Sequence, residues 1–178
     1  MNRLDWQIPR VRAPYREQRF GAMDPGTSGT VLLFSPDLRF PIACVDASRP
    51  RLVAQAFGQF GVQVLVAETQ YVTNLKRARG IIELTLNMGV ALGYVDALLG
   101  QTERELSLFE VAPSTWQKEQ RVTRTTVTKP PKGFAAELMM KVAREELRDQ
   151  LFWRQANGPT QTGIAAAWGI ASWWRALT

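Results

Sequence analysis

The tightest constraint on this chain is the run Met23-Asp24-Pro25-Gly26-Thr27-Ser28-Gly29 and the apolar residues behind it, Val31-Leu32-Leu33-Phe34. Pro25 donates no hydrogen bond to a sheet ladder and Gly26 accepts positive φ, so the backbone must turn directly after Asp24. A strand is expected on each side of the turn. Asp24 then sits at the rim of a sheet, where a carboxylate can reach a cation instead of being buried unpaired. Two readings of Asp24 stand side by side: it caps a hairpin, or it helps to hold a metal ion. A second carboxylate in a similar setting bears on the choice, because the apolar run from Val62 to Ala67 ends at Glu68.

The rest of the chain supplies the elements around these two acids. Residues 19–23, 31–34 and 41–45 read as strands. Ser48 is placed to cap the next helix, with Pro50 in its first turn. Leu52, Val53, Ala56, Phe57 and Phe60 form the apolar stripe of that helix, and Gly61 ends it. Residues 62–67 have the continuous apolar pattern of a central strand covered on both faces. Residues 81–99 read as a long helix in which Gly89 and Gly93 clear one face, either for close packing inside the domain or as the seam of a homodimer. A strand at 106–111 is stopped by Pro113. Residues 114–132, crowded with Thr, Lys and Arg, read as a mobile loop. A helix from 134 to about 151 follows, then a break at Asn157-Gly158-Pro159, then a last helix with Ile164, Ala167, Trp168, Ala171 and Trp174 on one side. Trp168, Trp173 and Trp174 cannot share one helix face, so the Trp-rich C-terminal helix is a candidate surface for a protein partner. The order of elements predicts an α/β fold with a five-stranded mixed sheet flanked by helices.

Composition narrows the chemistry. The 178 residues fit one domain, 19–178, behind a basic arm at 1–18 that carries Arg3, Arg10, Arg12 and Arg16. The absence of histidine removes serine–histidine triads and histidine metal sites, and a single cysteine, Cys44, removes internal disulfides and cysteine zinc sites. Cys44 lies in an apolar run and reads as a buried thiol in a reducing compartment. With no signal peptide and no apolar stretch of the ~20 residues that a bilayer requires, a soluble, cytoplasmic protein is expected. A net charge of +6 and a pI near 10.0 point to an anionic partner. Lys76, Arg77 and Arg79 follow Glu68, and Lys118, Arg121, Arg124, Lys129 and Lys132 populate 114–132 beside Glu119. Basic, hydroxyl-rich stretches of this kind suit phosphate contacts; the plainer reading is a solvated loop.

The motifs also carry a resemblance. D-P-G-T-S-G followed by an apolar strand resembles the first catalytic segment of the RuvC family of Holliday-junction resolvases. V-L-V-A-E-T-Q-Y resembles the second, with Glu68 in the place of the second metal-binding acid. K-R-A-R-G matches the stretch that opens the family's long helix, and P-S-T-W-Q-K at 113–118 is similar to the segment after the fifth strand in many phage-type members. The resemblance spans roughly residues 19–178. It implies an RNase H-like fold, branched DNA as the partner, and Mg²⁺ chemistry in which two ions about 4 Å apart are held by a cluster of carboxylates. It makes Asp24 and Glu68 the catalytic and metal-binding acids. It also gives Tyr71 the place of an aromatic that stacks on an unpaired base, a contact worth ~1–3 kcal/mol. Trp116 has two readings, a stacking residue or a local core plug.

One departure from the family's pattern dominates. The family carries two further acids on its last helix, three residues apart. Here those places fall at Gly163 and Ala166, and no Asp or Glu follows Asp149. Asp46, Asp96, Glu110, Glu145 and Asp149 remain as substitutes, each more simply a strand-end, helix-surface or loop charge. The expectation is a RuvC-related protein that binds branched or structured DNA as a binding or scaffold subunit. Its nuclease centre is lost or weakened, and Mg²⁺ is bound weakly or not at all. The alternative is an active Mg²⁺-dependent Holliday-junction endonuclease that uses Asp24, Glu68 and an unrecognised third acid.

Overall fold

The computed structural model describes residues 15, 17–25, 29–69, 89–90, 93, 97, 106–119 and 134–177. Strands β1 (Phe20–Asp24) and β2 (Thr30–Phe34) form the hairpin that Pro25 and its neighbours demand, with Asp24 opposite Thr30. β3 (Ala43–Asp46) pairs antiparallel with the outer side of β2. Helix α1 (Pro50–Phe60) then carries the chain over the sheet, and β4 (Val64–Glu68) joins the other side of β1 in parallel. β5 (Ser107–Val111) continues in parallel beside β4, which gives the order β3-β2-β1-β4-β5. The sheet is five-stranded and mixed, as the order of elements predicts.

Side-chain alternation along the strands divides the core into two halves. Met23, Leu33 and Leu65 face α1 and meet Val53 and Phe57. Phe20, Ala22, Leu32, Phe34, Val64 and Val66 face the other way. That second face is closed by α2 (Pro113–Glu119), α3 (Phe134–Leu147), α4 (Leu151–Gln155) and α5 (Gly158–Leu177).

Several local expectations are corrected. Ser48 does not cap α1: its N–H and hydroxyl both donate to Asp46 Oδ1, at 2.9 and 2.6 Å, and Arg49 occupies the cap position without a side-chain bond. Gly61 ends α1 as expected, in the left-handed region at φ 59°. The stretch read as a loop from 114 begins as helix α2, because Pro113 suits a first helical turn and Trp116 gives the helix a buried face. The helix expected to run to about 151 stops at Leu147, and α4 is separate. At the break, Asn157 Oδ1 accepts from the Thr160 N–H at 3.0 Å and its hydroxyl at 2.8 Å, so the breaker is the cap of α5.

The Trp-rich helix does not offer the expected partner surface. Trp168, Trp173 and Trp174 are 4%, 3% and 1% exposed. Indoles on different helix faces are all buried because α5 is wrapped by the sheet on one side and by other helices around it. Trp168 packs against Phe34 and Phe40, with ring centroids 6.0 and 6.2 Å away, and its Nε1–H donates to Glu146 Oε2 at 2.8 Å. Trp174 meets Phe109 at 4.9 Å and Tyr15 at 6.4 Å, so this described residue of the arm is docked on the core. Gly89, Val90, Gly93 and Ala97 are helical and exposed. Among the described residues, a Cβ at Gly89 or Gly93 would meet nothing within 4 Å, so the reading of close packing inside the domain finds no described neighbour for these two glycines. Among the described residues, no helix is long and apolar enough to cross a membrane.

Candidate nucleic-acid and carboxylate site

The hairpin and the crossover through α1 bring two acids to neighbouring strand ends. β1 and β4 run parallel with Met23 opposite Ala67, so Asp24 and Glu68 follow side by side, about one strand spacing (~4.8 Å) apart. Both are half-buried. Phe20 and Ala22, and Val64 and Val66, face the α5 side of the sheet. Two residues further on, Asp24 and Glu68 fall on that same face. Across the hairpin, Asp24 is opposite Thr30, whose side chain is buried.

Glu68 is held from α2. The Trp116 Nε1–H donates to Glu68 Oε2 at 2.7 Å, and the indole is 2% exposed. Trp116 is therefore the core plug, and it is also a hydrogen-bond partner of a candidate site residue. Its ring lies over Gly169 of α5: a Cβ there would stand 2.6 Å from Trp116 Cζ3 and 2.7 Å from Met139 Cε. Glu68, Trp116, Met139, Thr162, Ala165 and Ala166 share one small cavity of about 130 Å³. Ala166, one of the two positions where the family's pattern has an acid, thus faces the same space as Glu68. Gly163, the other, is buried in α5.

The remaining candidate acids among the described residues, Asp46, Glu110, Glu145 and Asp149, do not join this pair. Asp46 is engaged by Ser48 and lies 3.4 Å from Arg49 Nε. Glu110 and Glu145 are exposed, and Asp149 is exposed 3.6 Å from Arg148 Nε. Among the described residues, no group of three His, Cys, Asp or Glu comes close enough to hold a metal ion. Glu68 faces Ala165 and Ala166 across the small cavity, and the two described carboxylates at the strand ends, Asp24 and Glu68, are fewer than the set of acids that a two-ion centre takes.

Of the basic residues, Lys118 is in the last turn of α2. Tyr71, Lys76, Arg77, Arg79, Arg121, Arg124, Lys129 and Lys132 lie outside the described residues, as does Asp96. Cys44 is half-buried, and burial, with Asp46 nearby, pushes its thiol up to about 11. It is an unreactive thiol at neutral pH.

Sequence reasoning misses the Trp116–Glu68 bond and Gly169. The signals were present. A buried indole needs an acceptor for its N–H, and a glycine inside an alanine-rich helix gives up ~1 kcal/mol relative to alanine, which marks a close approach.

No protein-family model matches the sequence, and no curated protein matches it. Solved structures do. A Thermus thermophilus RuvC structure aligns with a TM-score of 0.50 at 14% identity, over 89% of this chain and 96% of that one. The fold is RNase H-like. T. thermophilus RuvC in complex with a Holliday junction substrate gives 0.49 at 16% identity, over 89% of this chain and 96% of that one. The yeast mitochondrial Holliday junction resolvase Ydc2 gives 0.48 at 12% identity, over 90% and 82%. At such identities the likeness is one of RNase H-like architecture.

Proposed function

We propose that this chain is a RuvC-like nucleic-acid-binding protein that recognises branched or structured DNA and has a lost or weakened nuclease centre. It acts as a binding or scaffold subunit in an intracellular, cytoplasmic setting. The observation that carries the reading is the cavity in which Glu68 faces Ala165 and Ala166 of α5. The acid pair of the sheet has no acidic counterpart on that helix, while the net charge of +6 favours a polyanion. In this reading Lys76, Arg77, Arg79, Lys118, Arg121, Arg124, Lys129 and Lys132 contact phosphates, and Tyr71 stacks on an unpaired base at the branch. The outward-facing Gly89, Val90, Gly93 and Ala97 favour self-association through that helix.

The neighbouring placement of Asp24 and Glu68 favours a second reading, an Mg²⁺-dependent endonuclease completed by another acid. One experiment separates the two: a labelled four-way junction and a duplex of equal length are titrated with the protein, then incubated in Mg²⁺ and in Mn²⁺. Tighter binding of the junction without cleavage is expected. Cleavage that Asp24→Asn abolishes would install the nuclease reading, and equal, salt-insensitive binding of both DNAs would remove both.

A further inference from the structure

We infer that the cavity between the end of β3 and the start of α5 takes an unpaired nucleobase, and that Asp46 at its mouth selects a base with an exocyclic amine. The inference rests on reading the chain as a binder of branched DNA. It adds a place where one base is held and a reason for preferring it.

The cavity is about 470 Å³, within the roughly 300–1,000 Å³ of clefts that take small molecules. Its floor is made by Thr30 and Ile164, which are buried, and by Cys44 and Phe152, which are half-buried. Asp46, Gln155 and Asn157 stand exposed at the rim. A mostly apolar floor with a few polar groups at the mouth suits a flat ring that is read along its edge. Charge decides which part of a nucleic acid fits. The described lining residues include no Lys or Arg but do include a carboxylate, so a phosphate is repelled and the neutral base is admitted. The cavity also lies at the sheet end that carries the acid pair. Asp24 is opposite Thr30, and Thr30 is opposite Asp46, so Asp46 stands about two strand spacings (~10 Å) from Asp24. A base already unpaired at a branch costs little to draw out of the stack.

The rim supplies the selectivity. Asp46 Oδ1 accepts from the Ser48 N–H at 2.9 Å and its hydroxyl at 2.6 Å, and Arg49 Nε stands 3.4 Å from Oδ2. An ionised carboxylate has about four lone-pair sites, so Oδ2 keeps room for one more donor. The N4 amine of cytosine is such a donor, at a corner of its ring. Uracil offers N3–H instead, between two carbonyl oxygens that the carboxylate repels. Asn157 Oδ1 is taken by the Thr160 N–H and hydroxyl, which leaves its amide N–H₂ to donate to a ring nitrogen or carbonyl. The Gln155 amide can donate or accept.

The test titrates the full chain into duplexes with one extrahelical nucleotide that carries cytosine, uracil or no base. The parent should bind the cytosine bulge at least about fivefold more tightly than the uracil bulge, the lower end of discrimination by a well-placed base contact. Asp46→Asn keeps an oxygen for Ser48 and turns an N–H₂ towards the base, so it should level or invert that ratio. A second measurement needs no variant. Cys44 is the chain's single cysteine and lines the cavity, so its alkylation by N-ethylmaleimide at mildly alkaline pH reports occupancy. Saturating cytosine-bulge DNA should slow the reaction several-fold relative to saturating abasic-bulge DNA. Equal affinity for the cytosine and uracil bulges, a cytosine preference that survives Asp46→Asn, or equal alkylation rates under the two DNAs would each overturn the proposal and leave the DNA-binding reading in place. Absence of binding to all three DNAs would remove both.

Discussion

Two indole–carboxylate hydrogen bonds among the described residues do different jobs. Trp168 donates to Glu146 at 2.8 Å, and Trp116 donates to Glu68 at 2.7 Å. Glu146 is exposed, with the Arg39 guanidinium 3.9 Å away, so its charge is met by a cation as well as by the indole. Glu68 is half-buried on the strand next to Asp24, so its indole bond restrains a carboxylate that has another beside it. Their seats differ as well. Trp168 is gripped between the rings of Phe34 and Phe40, whereas Trp116 rests on a bare glycine and a methionine methyl. The same bond is a rivet where an arginine also meets the carboxylate, and a restraint where a second carboxylate stands on the neighbouring strand.

The comparison can be broken first at the rivet. Trp168→Ala should cost about 3–5 kcal/mol in urea unfolding, the usual penalty for emptying an aromatic site in a core. A loss below about 1 kcal/mol would mean that α5 is held elsewhere. Next in size is the seat of the restraint. Gly169→Ala should destabilise by about 1–3 kcal/mol through overpacking, although alanine is the better helix former. Gly158→Ala, at the start of the same helix with nothing within 4 Å of its added Cβ, should cost nothing measurable by the same assay.

The two carboxylates should then respond with opposite signs. Glu146→Gln removes the partner of Arg39 and should lower stability by up to about 1 kcal/mol. Glu68→Gln removes one of two adjacent like charges and should raise it by about 0.5 kcal/mol. Thermal melts at low ionic strength would check both, and a loss in each would erase the distinction between rivet and restraint. The smallest effect belongs to Arg39→Ala. This exposed ion pair should be worth less than about 1 kcal/mol, and in 1 M salt its contribution should disappear.

The distribution of these effects explains what was legible in the sequence. Pro25 and the apolar runs around Asp24 and Glu68 fix local geometry, so the hairpin, the central strand and the strand-end place of each acid could be read from residues a few positions apart. Ser48 was misread because Asp46, two residues earlier, competes for its hydroxyl and wins. Trp116 and Gly169 are 53 positions apart, and no local period links a helix after β5 to a notch in α5. The expectation of a partner surface on the Trp-rich helix follows from a wheel drawn for one helix, which assumes a wet side for at least one of Trp168, Trp173 and Trp174. In α5 that side is filled by residues of α3 and by the aromatic core. The expectation of an α/β order with a mixed sheet needed only patterning within elements; the link between α2 and Glu68 needed the packed chain.

The position of α5 in the chain has a consequence for how the protein is made. Every strand precedes it, yet one face of the sheet, with Leu32, Phe34, Val64 and Val66, is closed by α5 and the helices that pack on it. During synthesis the strands and α1 can assemble while that face is still wet. At 5–20 residues per second, the 20 residues of α5 take about 1–4 s to be added. For that interval the nascent chain presents a bare apolar sheet. A chaperone that binds extended apolar surface should therefore engage ribosome-bound chains stalled ahead of residue 158, and should release them once α5 is clear of the exit tunnel.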